Sequence, residues 1–470
     1  MVNKVYQILP KAELAFKVFY LVLVLFSFNS LIAKNPILSV LNYVLAAFGF
    51  VLLLLRAFRL KQYLSTYGSV LLVLFCVGMF VSAVLNRKYG FFENVQAIIW
   101  TTLQFGLLYI TDKNRPSKEY KREFVFLACI FSVYVFLANA VSVGMFFAHY
   151  GVFGQYSFNG NIIGFIWGRL WGVYSDPNNG SVMCVASVVL SICAWAAQKP
   201  KSKRGLKALL LVNIILDYIY IMLSDSRTGM VCALIGVACV LYFCFAGGGL
   251  NTDRFKPLMK HALCLVLALV LSVTFYYSSQ LAKRGYNFAV EKIIEMHNST
   301  PGEADETADL VLITGRDTAD TESDISNRRF SLWESGLEIW KTSPIFGVSQ
   351  RNITAYAQDV LPETYMVNND MGAFDSTHNM FLDVLVSQGV VGFLILIAFF
   401  VAVAVLIIKR FFLNEQNRTS LYFIALFSVL VVFACSCVFV LDVLYLNSAA
   451  TVLFWSALGY LTHGLREEHN

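Results

Sequence analysis

His378 stands in Thr377-His378-Asn379-Met380-Phe381, where a polar, loop-like stretch of about a hundred residues gives way to an apolar run. An imidazole with an ordinary pKa of about 6.5 is a base at neutral pH. At the mouth of a membrane helix, that base points to chemistry at the bilayer surface. Leu382, Leu385, Gly389 and Gly392 follow it, and the two glycines are expected to permit close helix packing. Of the other five histidines, His149 and His297 read as surface residues. His261, His463 and His469 fall on the opposite side of the expected topology.

Three further clusters bring arginine. The first is Gly168-Arg169-Leu170-Trp171-Gly172-Val173-Tyr174-Ser175-Asp176-Pro177-Asn178-Asn179-Gly180. Asp176 suits an N-cap and Pro177 the first helical position, so a helix starts here with its positive dipole end toward Arg169. The second is Ser224-Asp225-Ser226-Arg227-Thr228-Gly229, a turn so short that Arg227 must lie at the membrane surface. The third runs from Ser326 through Arg328 and Arg329 to Trp340. Its Phe330, Trp333, Leu337 and Trp340 share one helical face, as in a helix lying in the membrane interface, and Pro344-Ile345-Phe346-Gly347 ends that unit. Each cluster also has a plain structural reading: a capped helix start, an arginine snorkelling to headgroups, a surface helix.

Together these residue types suit a diphosphate carried on a lipid tail. Arginine grips phosphate oxygens bidentately and keeps its charge. Helix N-termini add partial positive charge for an anion. A diphosphate leaves readily once its developing charge is neutralised, so it needs electrostatic stabilisation more than a general acid. An attacking sugar hydroxyl would need a base, the role open to His378. No histidine or carboxylate spacing calls for a metal, and no cofactor is expected. The acidic stretch Glu303 to Glu306 reads as a mobile loop.

The elements that position these residues are membrane helices. The 470-residue chain is 58% hydrophobic, far above a soluble domain. Twelve apolar runs of membrane-crossing length are expected. They are Leu14–Ala33, Ile37–Leu55, Ser65–Leu85, Asn94–Thr111, Phe124–Ala148, Gly180–Ala197, Ala208–Leu223, Thr228–Ala246, Ala262–Tyr277, Met380–Ile408, Ser420–Val440 and Val443–Leu461. The fold class is thus an all-α polytopic membrane protein in three parts. Residues 1–277 hold nine spans, 278–377 a large outer loop, and 378–470 three spans and a short tail.

Charge orients it. With both termini inside, inner segments hold 22 Lys and Arg and the short outer loops five, so the long loop and the four clusters lie outside. That loop has 16 acidic against 8 basic residues, in a chain of net charge +6. Nucleic-acid binding is disfavoured, because the basic charge follows the inner membrane face. All ten cysteines lie within the expected spans, so no disulfide framework is implied. Gly247-Gly248-Gly249 lacks the Lys-Ser/Thr of a phosphate loop.

The stretches RLWGVYSDPNNGS, SDSRTGMVCALIG, NRRFSLWESGLEIWKTSPIFGVSQ and HNMFLDVLVSQGVVG, in this order, resemble the O-antigen ligase and polymerase superfamily of bacterial membrane glycosyltransferases. The resemblance covers much of residues 168–394, and the His-Asn segment with its trailing Gly-x-x-Gly is its most specific part. It implies a GT-C-type fold in the inner or plasma membrane and a glycan donor on undecaprenyl diphosphate. The implied acceptor is another glycan or lipid A core, with membrane lipids, a flippase and a chain-length regulator as further partners. By resemblance His378 matches the family's essential loop histidine and Arg227 the arginine of the Ser-Arg element. Arg328 or Arg329 matches the arginine before the Trp helix. Arg169 matches a further position, and Asn178 and Asn379 are candidate substrate contacts beside it. Polymerase and ligase share this chemistry, and the composition leans toward a polymerase. A lipid-glycan transporter is the competing class. It would need charges deep within spans, of which Lys17 and Asp217 are the clearest.

Overall fold

The computed structural model describes residues 2–154, 161–198, 204–249, 256–298, 314, 328–351, 353–370 and 372–467. The stretch Glu303 to Glu306, together with Ser326, Asn327 and His469, lies outside the described residues.

Helices dominate. Of the helices of eight residues or more, the first five are α1 (Val2–Ser27), α2 (Pro36–Ala57), α3 (Ser69–Leu85), α4 (Phe91–Leu103) and α5 (Ser117–Phe147). Next come α6 (Pro177–Ala196), α7 (Arg204–Ser224), α8 (Arg227–Cys244) and α9 (Pro257–Asn298). The last are α10 (Arg329–Thr342), α11 (Ile353–Val360), α12 (Met380–Ile407), α13 (Leu421–Ser436) and α14 (Ala449–Glu467). Each of the twelve expected spans overlaps one of these helices. Among the described residues, seven helices are long and apolar enough to cross a membrane, and α3 and α13 are shorter apolar helices. The expected Ala208–Leu223 and Ala262–Tyr277, the shortest of the twelve, fall within two of the seven.

The bundle is built around α6. Its apolar window is 72% buried, against 17% for α2 and α9, so α6 is central and those two present most of their surface outward. It packs on α7, α8 and α13.

Four features depart from the sequence expectation. The expected boundary at 278 falls inside a helix, because α9 continues to Asn298. Hydropathy reports the solvent around a helix, not its backbone, and this helix keeps its hydrogen bonds as it leaves the apolar zone. Lys283 on the extension pairs with Asp225 at 2.6 Å. Second, the fold is not purely α-helical. A three-stranded antiparallel sheet of β1 (Gly151–Val152), β2 (Ile163–Ile166) and β3 (Arg169–Gly172) carries the first arginine cluster.

Third, residues 437–448 form an irregular buried stretch where parts of two spans were expected. Side chains take its backbone carbonyls: Ser448 and Thr451 donate to Asp442, and Trp455 Nε1 donates to Val443 at 2.7 Å. Irregular backbone inside a membrane protein persists only where such partners satisfy it.

Fourth, α12 is broken at Gly389, whose φ of 63° and ψ of −165° are non-helical. The loop after α10 fills the break. Val348 and Ser349 donate backbone N–H bonds to Val386 and Ser387, and Val390 donates to Pro344. The glycine expected to admit a neighbouring helix thus admits loop backbone: a Cβ there would lie 2.3 Å from the carbonyl of Ile345. Gly392 faces the Gln388 side chain of its own helix. A small core of Ile339, Val348, Ile353, Tyr356, Ala357, Met366 and Val386 anchors residues 328–376 on this broken helix.

Candidate functional site

Three spanning helices start close together at one end of the bundle, each with a side-chain cap. Asp176 caps α6, accepting from the N–H groups of Asn178 at 2.6 Å and Asn179 at 2.9 Å. Ser226 caps α8, accepting from Gly229 at 3.0 Å. Asn379 caps α12, accepting from Phe381 and Leu382. Three positive dipole ends therefore share one region.

Hydrogen bonds tie the first two clusters together. Arg169, on β3, donates to the Ser224 carbonyl at 2.8 Å and to Asn178 Oδ1 at 3.2 Å. Ser226 Oγ donates to the same Asn178 oxygen at 3.0 Å. Ser181 on α6 meets Ser224 at 2.6 Å. Asn178 and Arg169 thus lock the start of α6 to the α7–α8 turn. Arg227, the first residue of α8, is exposed at that turn. The neighbouring Asp225 has a φ of 49° and holds Lys283 of α9.

Cluster three joins through Arg329, which donates to Thr228 Oγ1 at 3.2 Å and lies 5.6 Å from the Phe439 ring. Arg328 does not follow it. It is the N-cap of α10 in the left-handed region, φ 65°, and it is exposed toward a separate cleft. That backbone turn points two adjacent arginines to different places.

His378 completes the group from the other side. It too is left-handed, φ 54°, a costly conformation for a residue with a Cβ. A cage enforces it. Asp383, one turn into α12 and fully buried, accepts from the Thr377 N–H at 2.7 Å, Thr377 Oγ1 at 2.9 Å and Ser376 Oγ at 3.2 Å. Ser376 Oγ in turn accepts from the His378 N–H at 2.9 Å. Burial, and then the positive charge of Arg329, hold the imidazole below its ordinary pKa, while Asp375 and Asp176 pull it back up. Charges from the first and third clusters are thus felt at His378.

Two acidic residues went unnoticed in the sequence. Asp383 and Asp442 each stand in or beside an apolar run, where a carboxylate is expensive, and that expense was the available signal. Asp442 lies in the irregular segment, close enough to Asp176 to feel its charge. Its Oδ2 is buried with no hydrogen-bond partner among the described residues. The Met380 N–H donates to the Cys437 carbonyl at 2.9 Å, which seats this segment against the start of α12.

Lys17 and Asp217, the two deep charges, lie away from this group. Lys17 pairs with Glu123 at 3.1 Å and accepts no water-facing role, being 1% exposed. Asp217 accepts from Asn139 at 2.7 Å and Asn213 at 3.0 Å. Asn139 also accepts from Tyr174 of the first cluster, so this network supports the site from below.

Residues 209–397 match the family model described as O-Antigen ligase. The match takes in Arg227, Arg328, Arg329, His378 and Asn379 and leaves Arg169 and Asn178 outside. No curated protein matches the chain.

Proposed function

We propose that this membrane protein acts as a member of the O-antigen ligase family and joins glycans at the outer face of the inner or plasma membrane, taking the donor from a polyprenyl diphosphate such as undecaprenyl diphosphate. The observation that carries the reading is convergence. Arginines and a histidine 50 to 150 residues apart in sequence meet where three helix N-termini meet. The excess of Lys and Arg in the other connecting segments supports an extracytoplasmic site and cytoplasmic termini.

In this reading Arg329 and Arg227 hold the diphosphate, with the helix N-termini behind them. The acceptor hydroxyl gives its proton to His378 as its oxygen attacks the anomeric carbon. The bond from that carbon to the diphosphate oxygen breaks, and the diphosphate leaves with the electron pair on its lipid. The depressed imidazole pKa keeps His378 neutral and basic at pH 7. Direct displacement inverts the anomeric configuration. Arg169, Asn178 and Asn379 act as positioning residues, since their polar atoms tie helix starts together. Fixed charge does the neutralising, so a chelator should leave the rate unchanged.

A polymerase, with the non-reducing end of a lipid-linked repeat unit as acceptor, is the first reading. A ligase to lipid A core or another surface acceptor is the second, which fits the family description equally. Supplying purified protein with lipid-linked repeat unit alone separates them. A ladder of lengthening, inverted products from wild type and none from His378→Ala is the polymerase outcome. Product only when a core acceptor is added is the ligase outcome. Full activity in His378→Ala would end the role of His378 as base in both.

A further inference from the structure

Beside the catalytic group, on the outer side of α10, lies an open cleft of about 500 Å³ lined by Arg328, Ser331, Tyr365, Asn368, Asn369 and Asp370. That is the size range of small-molecule sites. The lining is one cation, one anion, two amides, a hydroxyl and an aromatic ring. Among the described residues it carries no apolar wall for a lipid tail and no excess positive charge for a second diphosphate. Amides and carboxylates that pair with vicinal hydroxyls, beside a ring that receives the C–H face of a pyranose, suit a sugar.

The cleft is built, not loose. Met366 donates its N–H to Ser335 on α10, and Thr364 donates to Glu338 at 2.7 Å, so the 361–370 segment is fastened to the helix that bears both arginines. Asn369 Nδ2 donates to the Tyr365 carbonyl and Asn368 Nδ2 to Glu363, which sets both amide planes. A file of rings then leads inward. Tyr365 stacks on Phe374 at 6.4 Å, and Phe374 meets His378 edge-on at 6.2 Å.

We propose that this cleft is the acceptor subsite, binding the terminal sugars of the acceptor glycan so that a hydroxyl reaches His378. The proposal rests on the glycan-transfer reading above. It also divides the adjacent arginines: Arg329 serves the donor diphosphate and Arg328 the acceptor sugar.

The test uses the full-length protein in lipid nanodiscs and two probes. One is lipid-linked repeat unit with its non-reducing-end acceptor hydroxyl methylated, so that it can act only as donor. The other is the unmethylated repeat unit released from its lipid by mild acid, which lacks the diphosphate and can act only as acceptor. Tyr365→Ala, Asp370→Ala and Arg328→Ala each raise the acceptor KM by about tenfold or more while the donor KM stays within about twofold; Arg329→Ala does the reverse. An unchanged acceptor KM in Asp370→Ala and Arg328→Ala, or a donor KM that rises alongside it, overturns the subsite. Because Tyr365 also packs on Phe374, the exposed Asp370 and Asn368 serve as the variants that leave packing alone. Saturation-transfer NMR with the released unit gives a readout free of turnover. If wild type forms no product yet binds this probe, and Asp370→Ala loses the binding, the transfer reading falls and the sugar cleft stands. If wild type and Asp370→Ala bind it equally, the cleft falls whatever the activity.

Discussion

His378 is set by its neighbours more than by its own chemistry. Its imidazole sits under burial and the Arg329 charge, both lowering its pKa, against Asp375 and Asp176, which raise it. In the proposed reaction the neutral form is the base, so kcat/KM should fall on the acid side with an inflection below 6.5. Removing a positive charge raises that inflection and removing a negative one lowers it. A pH–rate series should therefore shift up in Arg329→Ala and down in Asp375→Asn; shifts in a common direction would refute the electrostatic account. The left-handed turn at His378 depends on Asp383, whose two oxygens hold three donors. Asp383→Ala frees the turn, and kcat should drop by about 10²-fold with both KM values little changed. Asp383→Asn keeps the oxygen facing Thr377 and should recover part of the rate. A folded Asp383→Ala enzyme with wild-type kcat would show that the cage does not position the base.

At the level of elements, the decisive object is the broken helix α12. Its first turns carry Asn379 and Asp383, and its break receives the 344–349 loop that anchors α10 and its arginines. One element thus holds the histidine and, through the loop, Arg329. Gly389 cannot take a side chain there: its φ is positive and the Ile345 backbone occupies the space. Gly389→Ala should lose at least the roughly 1–3 kcal/mol of left-handed strain. Thermal unfolding in detergent measures that loss. Activity should suffer with it, because α10 and the start of α12 lose their common register. A Gly389→Ala protein as stable as wild type would mean that the loop can withdraw at no cost.

Across the whole molecule, the end opposite the site is tied by a buried ionic network. Lys17 donates to Glu123 and to Tyr460, Arg115 reaches Glu123 at 2.5 Å, and Arg56 pairs with Glu13 at 2.7 Å. These pairs join α1, α2, α5 and α14. Breaking a buried pair strands the partner, at about 3–5 kcal/mol; Arg115 beside Glu123 puts Lys17→Ala near the low end. The variant should unfold at lower temperature yet transfer glycan normally in the cold. Lost function with unchanged stability would instead revive transport, with Lys17 on a path.

Composition and periodicity alone determined a polytopic membrane protein, its expected spans and the four polar clusters. Those signals are local: an apolar run must be hidden from water, and a charge within one is costly wherever it falls. His378, Arg227 and the Arg328–Arg329 pair were legible as residue types at helix mouths. Only the tertiary structure decided that the clusters meet, because Arg329 and Thr228 are brought together by packing and not by spacing. It likewise decided that Arg328 and Arg329 part company, through one left-handed residue whose conformation no side-chain pattern announces. The helical continuation past 278, the break at Gly389 and the buried 437–448 segment were illegible for one physical reason. In each, the backbone's hydrogen bonds go to partners that are distant in sequence or follow a rule other than hydropathy. Where those bonds go is a property of the fold.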